Sequence, residues 1–345
     1  LIQDFDISEY YPDGDVDNET IIDIYGMDQA SKNDGYLDIA VISSGYTSNS
    51  INNFKTLAET IKKALLDFEP YNFRSSQVRL SIVENTQSLS CRTENASTFI
   101  MCDYSLVTSI LTQKKIKYDK IAVIHNENKR CGTSTGVGTE YFFICVGGTP
   151  ESVFVHELSH GLGLLDEYTY GTNSAPLRMT GLNCHDSNQN PAWKDIVGKY
   201  SYSKGCDLRT NLWRSSYDSV MRYDDESRFY NAVSLKIILD SIDSFTGEFT
   251  TDDPAPDAKI LAPKNLEKVS GKIEMKISYE NAEHLQRVEL WIDNEIMFTE
   301  YEDFENISKA LQNITIPNKE VQLTIKAYDS LDRTGKSATI KLNPD

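Results

Sequence analysis

The chain has 345 residues, enough for two domains with a sizeable core. Its 52 acidic residues outnumber 34 basic ones and give a formal net charge of −18, which excludes nucleic acid as a natural partner because a phosphate backbone would be repelled. No run approaches the ~18 consecutive apolar residues needed to cross a bilayer. Leu1 is not methionine, and the expectation is a trimmed N-terminus from which a signal peptide or anchor is already gone.

Residues 1–35 read as an N-terminal extension. Asp13, Asp15 and Asp17 alternate there like the start of a Ca2+ loop, but Asn18 stands where such a loop needs glycine and no glutamate follows at the twelfth place. A solvated acidic tail fits better than a Ca2+ site. Residues 37–43 are apolar and β-branched and predict a strand. Ile51, Phe54, Leu57, Ile61, Leu65 and Phe68 recur at helical spacing and predict an amphipathic helix over 51–68. Strands are predicted at 77–84 and 118–125, a short helix at 104–113, and an edge strand at 140–146.

The next segment carries the chemistry. His156-Glu157-Leu158-Ser159-His160 is an H-E-x-x-H pattern; on a helix it sets both imidazoles on one face, where two ring nitrogens can reach one Zn2+ at about 2.0–2.1 Å. Thr149 and Pro150 suit the start of that helix, and Phe154, Leu158, Leu162 and Leu165 can pack away from the metal. Glu157 lies about 100° around the helix, beside the metal rather than on it, as a general base for water must. Gly163 allows a sharp exit that returns Asp166 as a third ligand. Glu167, one place later, is the alternative. His125, His185 and His284 are read as structural or exposed.

Gly171 to Ser216 is poor in periodic signals and rich in Asn, Ser, Gly and Tyr, and reads as a long loop. A closing helix is predicted over 232–245 and a Pro-bearing linker over 251–257. From 258 to 345, short alternating segments such as Lys272–Tyr279, Val288–Asp293, Val321–Tyr328 and Ala338–Leu342 predict about seven strands, an all-β sandwich. No cysteine falls there, so an antibody-type bridged domain is excluded. The six cysteines, Cys91, Cys102, Cys131, Cys145, Cys184 and Cys206, contain no C-x-x-C pair and are read as disulfides of an exported protein. They allow 15 pairings. Sequential pairing, Cys91–Cys102, Cys131–Cys145 and Cys184–Cys206, is the expectation, against six buried reduced thiols. N-x-S/T sequons stand at Asn18, Asn95, Asn306 and Asn313.

Two resemblances add to this reading. Ser219-Val220-Met221-Arg222-Tyr223 is similar to the Met-turn of the metzincin clan of zinc peptidases, with Asp166 in place of the commoner final histidine. That resemblance implies an α/β catalytic domain with a mixed twisted sheet, Met221 under the metal, and Tyr223 as a metal neighbour that stabilises the oxyanion. More narrowly, Tyr36 to Thr47, Asp166-Glu167-Tyr168, Asn190-Pro191-Ala192-Trp193-Lys194, Gly205-Cys206 and Trp213-Arg214-Ser215-Ser216 resemble segments of the bacterial metallopeptidase family that includes an immunoglobulin A protease. The likeness spans roughly residues 36 to 240. It implies a catalytic domain over 36–250, a secreted or cell-surface bacterial protein, and a protein substrate such as an immunoglobulin or another glycoprotein. The part from 258 on looks like Ig-like modules appended to bacterial surface proteins, and is read as a spacer or accessory. Two rival functions remain at this point: a non-catalytic adhesin or host-binding protein, and a zinc amidase acting on cell-wall peptides.

Overall fold

The computed structural model describes residues 35–93, 98–168, 183–186, 193, 196, 203–222, 229–269, 271–282, 285–301, 311 and 314–344. Contacts divide the chain into Leu1–Lys32 and Asn33–Asp345, and every described residue belongs to the second unit. The acidic stretch Asp13–Asp17, the asparagines of the four sequons, His284 and Tyr223 all lie outside the described residues.

The first half is built on a five-stranded sheet. Its strands are β1 (Leu37–Ser44), β2 (Val78–Val83), β5 (Lys120–His125), β6 (Gly132–Ser134) and β7 (Tyr141–Cys145), in the order β2-β1-β5-β7-β6. β1, β2, β5 and β7 are parallel, and β6 pairs antiparallel with β7. Between them β3 (Arg92–Thr93) and β4 (Ile100–Met101) form a small antiparallel pair. Both faces of the sheet are covered at its centre, which is why β1, β5 and β7 read as apolar runs, while the outer strands β2 and β6 carry polar residues. Leu37, Ile39, Val41, Ala122, Ile124, Phe142 and Ile144 enter one core; Ala40, Ile42, Ile121, Val123 and Phe143 enter the other. The first core is closed by α1 (Ile51–Asp67), α3 (Pro150–Gly161) and α4 (Ala232–Thr246); the second takes Val107, Ile110 and Leu111 of α2 (Tyr104–Gln113).

The strand at the sheet's edge is β6, not the segment over 140–146 expected from sequence. β7 lies inside, between β5 and β6. Three polar residues, Gly132-Thr133-Ser134, are too short to show a period. The disulfide Cys131–Cys145 fastens the start of β6 to the end of β7. Cys91–Cys102 and Cys184–Cys206 form the other two bridges, so all three pair sequentially and none of the six cysteines is free. The stretch read as a long loop also contains order: β8 (Cys184–His185), β9 (Ser203–Cys206) and β10 (Arg209–Arg214) form an antiparallel sheet in the order β8-β10-β9.

After the linker the described residues are mostly β. The strands β11 (Asp257–Ala262), β12 (Lys268–Val269), β13 (Gly271–Ile273), β14 (Lys276–Glu280), β15 (Leu285–Ile292), β16 (Glu295–Tyr301), β17 (Ile314–Ile316), β18 (Val321–Asp329) and β19 (Ala338–Pro344) are more numerous than the expected seven. The additional strands include β12 and β13, of two and three residues, which alternation cannot reveal. A five-stranded sheet, β12-β19-β18-β15-β16, shares one apolar core with the pairs β11-β14 and β13-β17. In β18 alternate residues are buried, the period-2 signature of a sheet with one covered face. Among the described residues no helix is long and apolar enough to cross a membrane.

One buried charge marks the seam between β5 and α3. Lys120 is 4% exposed, donates to the Thr139 carbonyl at 3.0 Å, and lies 5.5 Å from the Phe245 ring centroid. Burial pushes its ammonium from the ordinary 10.5 down to about 8, against the attraction of Glu140 and Asp119. Between those two values the unfolded chain keeps the proton and the folded chain does not, so stability rises with pH there. Relative to Lys120→Met, the wild type is expected to gain up to about 3 kcal/mol between pH 8 and 10.5. Urea unfolding of the pair at several pH values measures this, and a pH-independent difference contradicts it.

Candidate metal centre

Helix α3 begins at Pro150, which has no N–H to leave unsatisfied at the first helical position. Thr149 is its N-cap residue, but it accepts Ser152 and Val153 through its backbone carbonyl and makes no side-chain capping bond. The helix is held by Val153, Phe154, Val155, Leu158 and Leu162 in the core, and this sets the opposite face toward a cleft. It ends at Gly161, and Gly163 at φ +112° turns the chain back in a conformation that L side chains rarely adopt. The return brings Asp166 over the two histidines.

The resulting cluster is tight. Asp166 Oδ1 lies 3.0 Å from His156 Nε2 and 3.3 Å from His160 Nε2, and the three donor atoms all lie within 4.8 Å of one another. A tetrahedral ion with bonds of about 2.0–2.1 Å separates its ligand atoms by about 3.3 Å, so these spacings fit one small divalent cation. The imidazoles are oriented by the backbone. His156 Nδ1 bonds the Val220 carbonyl at 3.1 Å, and His160 Nδ1 bonds the Leu164 carbonyl at 2.8 Å. A carbonyl only accepts, so each Nδ1 carries the proton and each Nε2 lone pair is left for a metal. Burial on its own would lower the His160 pKa; the Asp166 carboxylate overrides it and holds the imidazole above its ordinary value. Asp166 is opposed by burial too, yet the two imidazoles hold its carboxyl well below the usual range. A divalent cation would take the place of those protons.

The alternative ligand is committed elsewhere. Glu167 is fully buried and accepts from Asn183 Nδ2 at 2.9 Å, Ser219 Oγ at 2.6 Å, Asn231 Nδ2 at 2.8 and 2.9 Å, and Ser234 Oγ at 2.9 Å. Its backbone N–H donates to the Met221 carbonyl at 2.8 Å. Met221 itself is fully buried in the core that holds Leu158 and Leu162. The Asp166 carbonyl accepts from the Asp207 N–H at 2.7 Å, and both sulfurs of the Cys184–Cys206 disulfide, which have no proton to donate, pack 3.5 Å from it. Asn183 clamps Leu165 from both sides, accepting from its N–H and donating to its carbonyl at 2.8 Å each.

A cleft of about 300 Å³ opens on this cluster, lined among others by Phe99, Ser134, Glu157, Tyr168 and Asp207. Glu157 is 7% exposed and lies against Gly132 of the edge strand. A Cβ there would collide with Glu157 Oε1 and come within 2.6 Å of Val153 Cγ1, so only glycine leaves room for the carboxylate. The other described histidines stay apart: His125 bonds Ser44 Oγ at 3.2 Å, and His185 packs edge-on against Trp193. Sequence reasoning passed over Gly132, Asn183, Asp207 and Asn231. Asp207 sits with Leu208 at the tip of the β9–β10 hairpin, where both residues take positive φ, and the pair lacks the glycine that marks such a turn in sequence.

No protein-family model matches the chain, and no curated protein matches it. Among solved structures, fibronectin(III)-like modules of Clostridium thermocellum CbhA align at 17% identity and TM-score 0.20, over 26% of this chain and 95% of that one. Akkermansia muciniphila OgpA aligns at 9% identity and TM-score 0.25, over 90% and 93%. A structure described as a chaperone-substrate complex aligns at 14% identity and TM-score 0.32, over 63% and 36%. Likenesses this low carry no argument.

Removing the buried Glu167 carboxylate leaves Asn183, Ser219, Asn231 and Ser234 donors without their acceptor, and each such loss costs about 1–3 kcal/mol. Glu167→Ala is therefore expected to destabilise the protein by at least about 3 kcal/mol in denaturant unfolding, more than Asp166→Ala. A smaller loss for Glu167→Ala than for Asp166→Ala would contradict the assignment of the two roles.

Proposed function

We propose that this chain is a secreted zinc-dependent endopeptidase of the metzincin type, related to the bacterial immunoglobulin A peptidases. The observation that carries the reading is the convergence of His156 Nε2, His160 Nε2 and Asp166 Oδ1, with both Nδ1 atoms tied to backbone carbonyls and Glu157 lining the same cleft. Two nitrogens and one carboxylate oxygen are a donor set that suits Zn2+ with one position left for water. Zn2+ held there supplies Lewis acidity, lowering the pKa of a water to about 7 and polarising a scissile carbonyl.

The chain's own residues do the rest. Glu157 accepts the proton of the attacking water and passes it to the leaving amine. Its burial beside Gly132 limits the rotamers open to it, and it lines the same cleft as His160 and Asp166. The Val220 and Leu164 carbonyls keep both imidazoles in the ligating tautomer. Tyr223, two places after Met221, is assigned the oxyanion by the resemblance to metzincins. Thr133 and Ser134 of the edge strand β6 line the cleft, where an extended peptide can pair along the backbone. Three disulfides fit an extracellular setting. Immunoglobulin A or another host glycoprotein is the proposed substrate.

Cleavage of immunoglobulin A and of casein, with and without a chelator, tests this reading. Chelator-sensitive hydrolysis is expected, and Glu157→Ala should reduce it by at least about 10²-fold with the metal still bound. Turnover retained in Glu157→Ala would remove the role given to that residue. Hydrolysis of cell-wall peptides alone would favour an amidase, and no hydrolysis with zinc bound a binding protein.

A further inference from the structure

The C-terminal β-sandwich touches the first half through a short stretch whose residues also reach the metal cluster. Phe229, Tyr230, Asn231 and Ala232 precede and open α4. On one side the stretch supports the candidate site. The Phe229 carbonyl accepts from Val220 N at 2.9 Å, and Val220 is the residue whose carbonyl orients His156. The Tyr230 hydroxyl bonds Ser159 Oγ on α3, next to His160, at 2.5 Å. Asn231 donates to both oxygens of Glu167, next to Asp166. Three consecutive residues therefore lie one hydrogen bond away from neighbours of all three donor residues.

On the other side the same stretch is gripped by β15 and β16. The first N–H of α4, at Ala232, has no partner within its own helix. It donates to the Tyr301 hydroxyl at 2.9 Å. The Phe229 and Tyr301 rings stack with centroids 5.3 Å apart and planes at 16°. Gln286, 2% exposed, donates its amide to the Tyr230 carbonyl. Tyr301 also packs with Trp193, Ala232 and Val233 in a small separate core.

We infer that Tyr301 and Gln286 of the C-terminal sandwich are positioning residues for the metal centre, acting through the Phe229–Ala232 stretch. The sandwich is then a working support of the site rather than the spacer expected from sequence. The inference rests on the proposed metal-centre reading for its kinetic readout, and on the hydrogen-bond path alone for its structural one.

The test uses the full chain with Tyr301→Phe, which keeps the ring and removes the hydroxyl, with Gln286→Ala, and with both. Lys319→Ala, which removes only an exposed ion pair with Asp293, is the control. Three quantities are read: release of bound Zn2+ to a chromogenic chelator, kcat and KM separately, and amide hydrogen exchange in peptides covering 164–168 and 219–222. Outer-shell partners of metal ligands change metal affinity about 10–100-fold, so release from the double variant is expected to be at least about tenfold faster. Its kcat should fall with KM little changed, and both peptides should exchange faster, while the control matches wild type. Release, kcat and exchange no different from the control would overturn the inference. Should the double variant fail to fold, Tyr301→Phe alone decides by the same comparison. A wild type that binds no metal would remove the proposed function, and exchange in the two peptides would still decide the path.

Discussion

A carboxylate taken wholly out of water is costly unless its oxygens are satisfied, and Glu167 meets that demand with four side chains from three separate parts of the chain. Asn183 comes from the disulfide-bearing loop, Ser219 from the turn before Met221, and Asn231 and Ser234 from the start of α4. Each must be in place for the charge to be buried at all. Once they are, the neighbouring Asp166 is fixed as well, because the backbone on either side of it is tied down at Leu165 and at Glu167. Much of the candidate site follows from that constraint.

The remaining supports act on backbone atoms. The Asp166 carbonyl is held by Asp207 and backed by the sulfurs of Cys184–Cys206, and Asn183 clamps Leu165. His156 and His160 are set by the carbonyls of Val220 and Leu164. Groups that must converge within a few tenths of an ångström are thus tied to rigid neighbours rather than left on mobile loops. A close approach of glycine to a side chain of the site, Gly132 against Glu157, lies where the edge strand meets α3.

What could be read in the sequence follows the reach of its signals. α1 and α2 carry 3.6-residue stripes and fall within one residue of their expected ends, β1, β5 and β7 are apolar runs long enough to announce themselves, and β2 shows an alternating pattern. H-E-x-x-H, Gly163 and Asp166 are local in sequence, so their convergence could be anticipated by counting along a helix. Sequential disulfides fell out of the same proximity. β6 and β8 to β10 were missed because two to six polar residues show no period, and their order comes from disulfides and pairing at a distance. Asn183 and Asn231 were invisible for a different reason: they bond a carboxylate 16 and 64 residues away. The choice between Asp166 and Glu167 was equally a question of tertiary structure, since adjacent carboxylates differ only in what surrounds them. Tyr301 and Gln286, in a part of the chain read as a spacer, carried no local sign of contact with α4.

The proposed site is one metal held by three particular side chains. Anomalous diffraction at the zinc edge from crystals of the full chain, grown with Zn2+, tests that most directly. The prediction is a single strong peak about 2 Å from His156 Nε2, His160 Nε2 and an Asp166 carboxylate oxygen, with Glu167 still buried among its amide and hydroxyl donors. A cluster without a peak, or a peak ligated by Glu167 in place of Asp166, would contradict it.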